Sequence, residues 1–289
     1  MQSYFEGWYF KCRTNDGKSI ALIPAIHRDG SRKGSASLQI IAESGTWWLE
    51  YPETEFHAVR QPLHISLGSN AFGEEGMTLQ VESSGLSLYG SLRHGPLTPL
   101  KSDIMGPFRF VSGMECTHGV VSMGHRLSGM LTLNGEVLDF SDGLGYIETD
   151  RGHSFPNRYL WTQCGWVKPQ ISGVMIAVAS IPIKFIYFTG IICSVHYNGQ
   201  EHRLATYKGA RIKWWSEHGT EIVQGKYRLV VEVLEKQGQP LHAPVEGRMR
   251  RIIHESLCSK VRYRFWEKGH LMFDHTDDGA SFEYADKEI

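Results

Sequence analysis

Roughly every ten residues this sequence breaks at Gly, Asn or Asp, and between the breaks apolar and polar side chains alternate. SIALIPAIH, TLQVES, LSLYGSL, GMLTLNGEVLDF, CSVHYNGQEHRL, ARIKWWSE, YRLVVEVLE and KVRYRFWEK are runs of this kind. Alternation at period two gives a strand one face for a core and another for its surroundings. The pairs Asn134-Gly135 and Asn198-Gly199 carry the type I′ hairpin signature, and Ser83–Gly85 supplies a further turn. No long stretch keeps the helical period; the one helical candidate is EGRMRRIIHESL, Glu246 to Leu257. The fold expected is all-β and antiparallel, of sandwich or barrel type. At 289 residues the chain has room for two such units. FSDGLG, which ends at Gly145, is the best break, so the expected domains are residues 1–141 and 142–289.

Composition narrows the partners. The formal net charge is -1, so no long-range field draws the chain to nucleic acid, and no nucleic-acid partner is expected. The one dense basic cluster, Arg248, Arg250 and Arg251, reads as a solvated strand end before it reads as a phosphate site. The five cysteines, Cys12, Cys116, Cys164, Cys193 and Cys258, are odd in number and widely spaced. That pattern argues against a disulfide framework and against a Cys-x-x-Cys zinc site, and fits a reducing, cytoplasmic compartment. The fourteen histidines show no metal spacing. His118 and His125 fall on opposite faces of a regular strand, so no metal and no cofactor is expected. The first residues, MQSYFEGWYFK, lack a basic n-region and an apolar h-region, and no signal peptide is expected.

Ile171–Val195 has the length of a membrane span, but Pro182 and Lys184 sit mid-segment and β-branched residues fill it. Two apolar strands joined around Pro182–Thr189 fit better. The joining stretch, IPIKFIYF, is greasy for a loop, and either a buried crossover or a peripheral membrane contact would account for it.

The stretch YIETDRGHSFPNRYLWTQCG, residues 146 to 165, sets ionisable groups among aromatic rings. Extended, it puts Tyr146, Glu148 and Asp150 on one face, with alternate residues roughly 6.5–7 Å apart. Two carboxyls that close and away from water cannot both ionise cheaply, so one keeps its proton and becomes a usable donor. Arg151 could instead cancel the effect by pairing. After the break at Gly152 and Pro156, Tyr159, Trp161 and Gln163 share a face suited to a pocket wall, and Leu160, Thr162 and Cys164 share one suited to packing. A surface ion pair beside an ordinary core Trp is the plainer alternative. In YFEGWYF, Glu6 and Trp8 share one face and Phe5, Gly7 and Tyr9 the other, and a covered Glu6 must be paired or protonated.

FEGWYFK near the start, GYIETDRGHSFPNRYLWTQCG in the middle, CSVHYNGQEHRLATYKGARIKW, GQPLHAPVEG and the closing GASFEYA together resemble the tocopherol cyclase family, in order and over nearly the whole chain. That family is similar to a broader lipocalin-like two-barrel group that includes carotenoid hydratases. The resemblance implies two lipocalin-like β units with a ligand cavity in or between them. It also implies cofactor-free chemistry on a prenyl quinol or another lipophilic isoprenoid. Where plant cyclases carry Asn-Trp-Gly, this chain has Asp150-Arg151-Gly152.

Ring closure onto an alkene needs a dry acid near the double bond and aromatic faces around the cation. The expected catalytic set is Asp150, Glu148, Tyr146 and His153, with Asp150 or Glu148 as proton donor. The expected substrate-binding set is Glu6, Trp8, Tyr9, Tyr159, Trp161 and Gln163. Attack by water would make the same equipment a hydratase, and a cavity without an acid step would make it a carrier.

Overall fold

In the computed structural model, the structure describes residues 3–30, 34–111, 113–167, 169–183, 186–236 and 239–286. The expectation of an all-β protein with two lipocalin-like antiparallel units holds. Strands β1 (Tyr4–Arg13), β2 (Ser19–Arg28), β3 (Gly34–Ala42), β4 (Gly45–Pro52), β5 (Phe56–Arg60), β6 (Leu63–Leu67), β7 (Asn70–Gly73), β8 (Gly76–Ser83), β9 (Leu86–His94), β10 (Cys116–Leu133), β11 (Glu136–Asp139) and β12 (Gly143–Gly152) form one sheet. Its order is β4-β3-β2-β1-β12-β10-β9-β8-β7-β6-β5, with β11 paired to β10. Strands β13 (Arg158–Val167), β14 (Ile171–Ile183), β15 (Ile186–Tyr197), β16 (Gln200–Ala205), β17 (Arg211–Ser216), β18 (Gly219–Gln224), β19 (Tyr227–Glu235), β20 (Gln239–Val245), β21 (Arg248–Glu267) and β22 (His270–Asp286) form the second. There the order is β16-β15-β14-β13-β22-β21-β19-β18-β17, with β20 on β21.

The hairpin signals act as read. Asn134 and Gly135 take φ of 50° and 85° between β10 and β11, and Asn198 and Gly199 take 50° and 70° between β15 and β16. Two expectations are corrected. Glu246–Leu257 is not helical: Glu246 and Gly247 make a left-handed turn and β21 begins at Arg248. Short-range helical spacing lost to strand pairing there: β20 pairs with β21, and Glu255 and Ser256 lie opposite Glu283 and Phe282 of β22. The connection at Pro182–Thr189 is much shorter than read, because β14 and β15 stay paired out to Ile183↔Ile186. Residues 184 and 185, at its tip, lie outside the described residues.

By contacts the chain divides into two compact units. The first is Met1–Pro99, His118–Ser154 and His242–Arg251; the second is Leu100–Thr117, Phe155–Leu241 and Ile252–Ile289. The expected break at 141–142 falls inside the first. Each unit has its own core. Trp8, Phe10 and Cys12 of β1, Ile20 and Leu22 of β2 and Ile147 of β12 belong to the first core. Leu160 and Cys164 of β13, Val174 and Ile176 of β14 and Phe273 of β22 belong to the second. In each unit one face of the central strands therefore packs on apolar neighbours, and the other face is left for different work.

Candidate active site

In the first unit that other face carries a buried ionic cluster. Ile147 points into the core, so Tyr146, Glu148 and Asp150 project from the opposite side of β12. Tyr9 lies opposite Glu148 and Gly7 opposite Asp150 in the β1–β12 register. The histidine that completes the cluster is His118, from the neighbouring β10. Its Nδ1 lies 2.9 Å from Asp150 Oδ1 and its Nε2 lies 3.3 Å from Glu148 Oε2. The second approach is close enough for charge attraction but bent out of hydrogen-bond alignment, so Nε2 is buried without a hydrogen bond. The Tyr146 hydroxyl donates to Glu148 Oε2 at 2.5 Å. Glu148 is 4% exposed and His118 9%, and the Asp150 side chain keeps 25%. Arg151, out of phase by one residue, is exposed and faces away from both acids.

Burial raises the Glu148 carboxyl above its usual value, against the pull of His118. Burial alone would lower His118, yet the carboxylates of Asp150 and Glu148 overcome it and hold the imidazole well above its usual range. Burial, helped by Glu148, also raises the Tyr146 phenol well above its ordinary value. Burial thus favours the protonated form of Glu148, and the neighbouring acids favour the charged form of His118.

These shifts set a stability window. A folded-state pKa above its unfolded value means that the native chain keeps protons the unfolded chain has released. The stabilisation is full below the usual values of 4.5 for Glu148 and 6.5 for His118, and is lost as pH rises toward the folded values. His27, His94 and His125 act oppositely. Burial lowers them to about 4, 4 and 3, so their effect is complete by 6.5. The urea midpoint is therefore expected to fall as pH rises above 6.5, and to fall less in a His118→Gln variant. A wild-type midpoint that climbs or stays level there contradicts the upward shifts of Glu148 and His118.

The other sequence candidates are placed as follows. Glu6 is 7% exposed, on the core-side face, and its carboxylate accepts two 2.8 Å hydrogen bonds from Arg60 and one of 2.7 Å from the Tyr4 hydroxyl. Of the two states open to it, Glu6 is paired. Trp8 is on that same face, inside the first core and stacked on Phe56 at 6.1 Å. Tyr9, 8% exposed, is on the face of the cluster. His153 lies just past β12, half-buried, its backbone oxygen accepting from Gly247 N at 2.7 Å. Tyr159, Trp161 and Gln163 belong to the second unit, on the face of β13 opposite Leu160 and Cys164. All three are buried. Tyr159 donates to Glu283 Oε2 at 2.9 Å, and the Gln163 Oε1 has no hydrogen-bond partner.

His118 was not among the sequence candidates. Its face was correctly opposed to that of His125, whose ring lies against β12 at Gly145, where a Cβ would come within 2.3 Å of Nε2. Only the β10–β12 pairing joins His118 to the acids, and no local signal announces it. A cavity of about 160 Å³ in the first unit shares no residue with the cluster. His27, Asp29, Trp48, Glu50 and Arg248 help to line it, and they make it polar.

A family model described as tocopherol cyclase-like matches residues 110–285. The chloroplastic tocopherol cyclase of Zea mays is 25% identical over 189 residues, which is 57% of this chain and 38% of that protein. The match thus spans less than half the length of this curated relative. Among solved structures, kievitone hydratase from Nectria haematococca superposes with a TM-score of 0.56 at 11% identity, covering 99% of this chain and 89% of that one. An AttH from Nitrosomonas europaea gives 0.55 at 11% identity, covering 98% and 92%. At such identity the likeness is one of fold.

Proposed function

The chain belongs to the tocopherol cyclase-like family, and from that premise we propose that it catalyses an acid-initiated cyclisation of a prenylated quinol or a similar lipophilic isoprenoid. The observation that carries this reading is a buried Glu148 carboxyl between Tyr146 and His118, and its burial makes it hold its proton more tightly than usual. A carboxylic acid out of water is the donor an unactivated alkene requires.

In the step proposed, the Glu148 proton passes to one alkene carbon and the π pair forms the new C–H bond. The cation left on the more substituted carbon is met by a lone pair of the phenol oxygen. The phenol proton then returns to Glu148, so the product is an isomer of the substrate. His118, held by its hydrogen bond to Asp150, steadies the transient Glu148 carboxylate. Tyr146 fixes that carboxyl by its hydrogen bond, and Tyr9 offers a ring on the same face to a developing cation. His153 remains a proposed contact for the rest of the substrate, and Tyr159, Trp161 and Gln163 remain proposed binding residues within the second unit.

Incubation with prenylated quinols tests the reading. A product of unchanged mass and lost phenol supports cyclisation. A gain of one water makes the protein a hydratase, and tight binding with no product makes it a carrier.

A lipid surface is the proposed source of such a substrate. No helix among the described residues is long and apolar enough to cross a membrane. In the second unit, Phe110, Val111 and Tyr187 are 76%, 52% and 57% exposed, and Arg109 lies over the Phe110 ring at 4.5 Å. Exposed rings beside a cation suit a headgroup boundary. Phe110→Glu with Tyr187→Glu is expected to abolish co-sedimentation with anionic phospholipid vesicles; undiminished co-sedimentation removes this surface from the account.

A further inference from the structure

A second group of chemistry-bearing side chains lies in the second unit, and the acid step makes no use of it. Cys164 of β13 meets His275 and Asp277 of β22, with one donor atom from each lying within 4.8 Å of the others. The strands are neighbours, with Gln163 opposite Ser281. Cys164 and Phe273 are both core members, so Phe273, His275 and Asp277 alternate onto the core face.

A bulge makes this possible. Between Ser259↔Ala280 and Val261↔Asp277, β22 spends one residue more than β21. Ala280 and Phe282 therefore point inward beyond the bulge as Phe273 does before it. The kink seats Asp277 at the end of the inward row, where Gly279 N donates to its Oδ1 at 2.7 Å. The other carboxylate oxygen is 3.3 Å from His275 Nε2. The His275 ring is stacked on Trp166 at 4.2 Å and 20°, which fixes its plane.

We propose that Cys164, His275 and Asp277 bind a divalent cation of the zinc class. A thiolate, an imidazole and a carboxylate form a mixed soft and hard set that suits zinc and not magnesium or calcium. Zinc bonds to nitrogen and oxygen of about 2.0–2.1 Å put two tetrahedral ligand atoms roughly 3.3 Å apart, the separation seen for His275 and Asp277. Cys164, 1% exposed, closes on the ion by a small side-chain shift and releases its thiol proton. The fourth position is left to a water or a substrate oxygen. The Gly279 amide and the Trp166 ring play the outer role of holding two ligands in place. No sequence spacing announces such a site, because one donor stands more than a hundred residues before the other two.

The test uses the full chain, stripped with chelator and then freed of it, and titrated with Co²⁺ followed by Zn²⁺. One Co²⁺ per chain is expected, with the thiolate-to-cobalt charge-transfer absorption, and Zn²⁺ should displace it. Cys164→Ser should abolish that band and weaken Zn²⁺ binding by more than ~100-fold, beyond the loss that outer-shell changes alone cause. His118→Gln should leave the band intact, since the cluster of the first unit contains no thiol. His275→Gln should weaken Zn²⁺ binding likewise, and stands in if Cys164→Ser does not fold. A wild-type chain without the band, or a band unchanged in Cys164→Ser, overturns the proposal and leaves His275 and Asp277 as hydrogen-bonded neighbours only.

Discussion

Glu148→Gln is expected to lower turnover of a prenylated quinol by roughly 10²–10⁴-fold, the usual worth of a positioned general acid. The amide keeps the shape of the side chain and an oxygen for the Tyr146 hydroxyl, but it has no proton to give. Because the proton is needed only in the transition state, kcat and kcat/KM should fall together with KM little changed. Asp150→Asn should act differently. Asp150 is hydrogen-bonded to His118 and is not the proposed donor, so its loss should shift the pH dependence of kcat before it lowers the maximum. A Glu148→Gln, Asp150→Asn double variant that turns over at the wild-type rate would eliminate the cluster as the acid.

Trp8→Ala is expected to destabilise the fold by about 3–5 kcal/mol, read as a lowered urea midpoint at unchanged slope. Trp8 is among the largest fully buried side chains of the first core, packed with Phe56 under one face of β1. Its truncation leaves a cavity that close-packed neighbours cannot fill. The acid cluster occupies the opposite face, so the fraction that remains folded should keep its kcat. A variant of near-native stability whose turnover collapses would return Trp8 to the substrate-contact role read from its sequence neighbourhood.

These two experiments follow the line between what was legible in the residues and what was not. Alternation located the strands, and the Asn-Gly pairs located two hairpins, because both are short-range effects. The same period two put Tyr146, Glu148 and Asp150 on one face and set Leu160 and Cys164 against a core. Long-range pairing was invisible. His118 joins Glu148 and Asp150 only because β10 lies beside β12, a fact of sheet order that no local pattern encodes. For the same reason Glu246–Leu257 looked helical until pairing with β22, at Glu255 and Ser256, made its end a strand. A strand's faces can be read from one segment, but which two segments share a face depends on register, and a one-residue slip reverses it.

The segmented make-up of the first unit has a consequence for biogenesis. Residues 118–154 leave the ribosome long before 242–251, which belong to the same body. At ordinary elongation speed the gap is on the order of 5–20 s, during which the first sheet, complete at β12, waits for residues 242–251, which belong to strands of the second sheet. Neither unit can be released by a single proteolytic cut or inherited as a free cassette, so the pair must fold, and diverge, as one gene product.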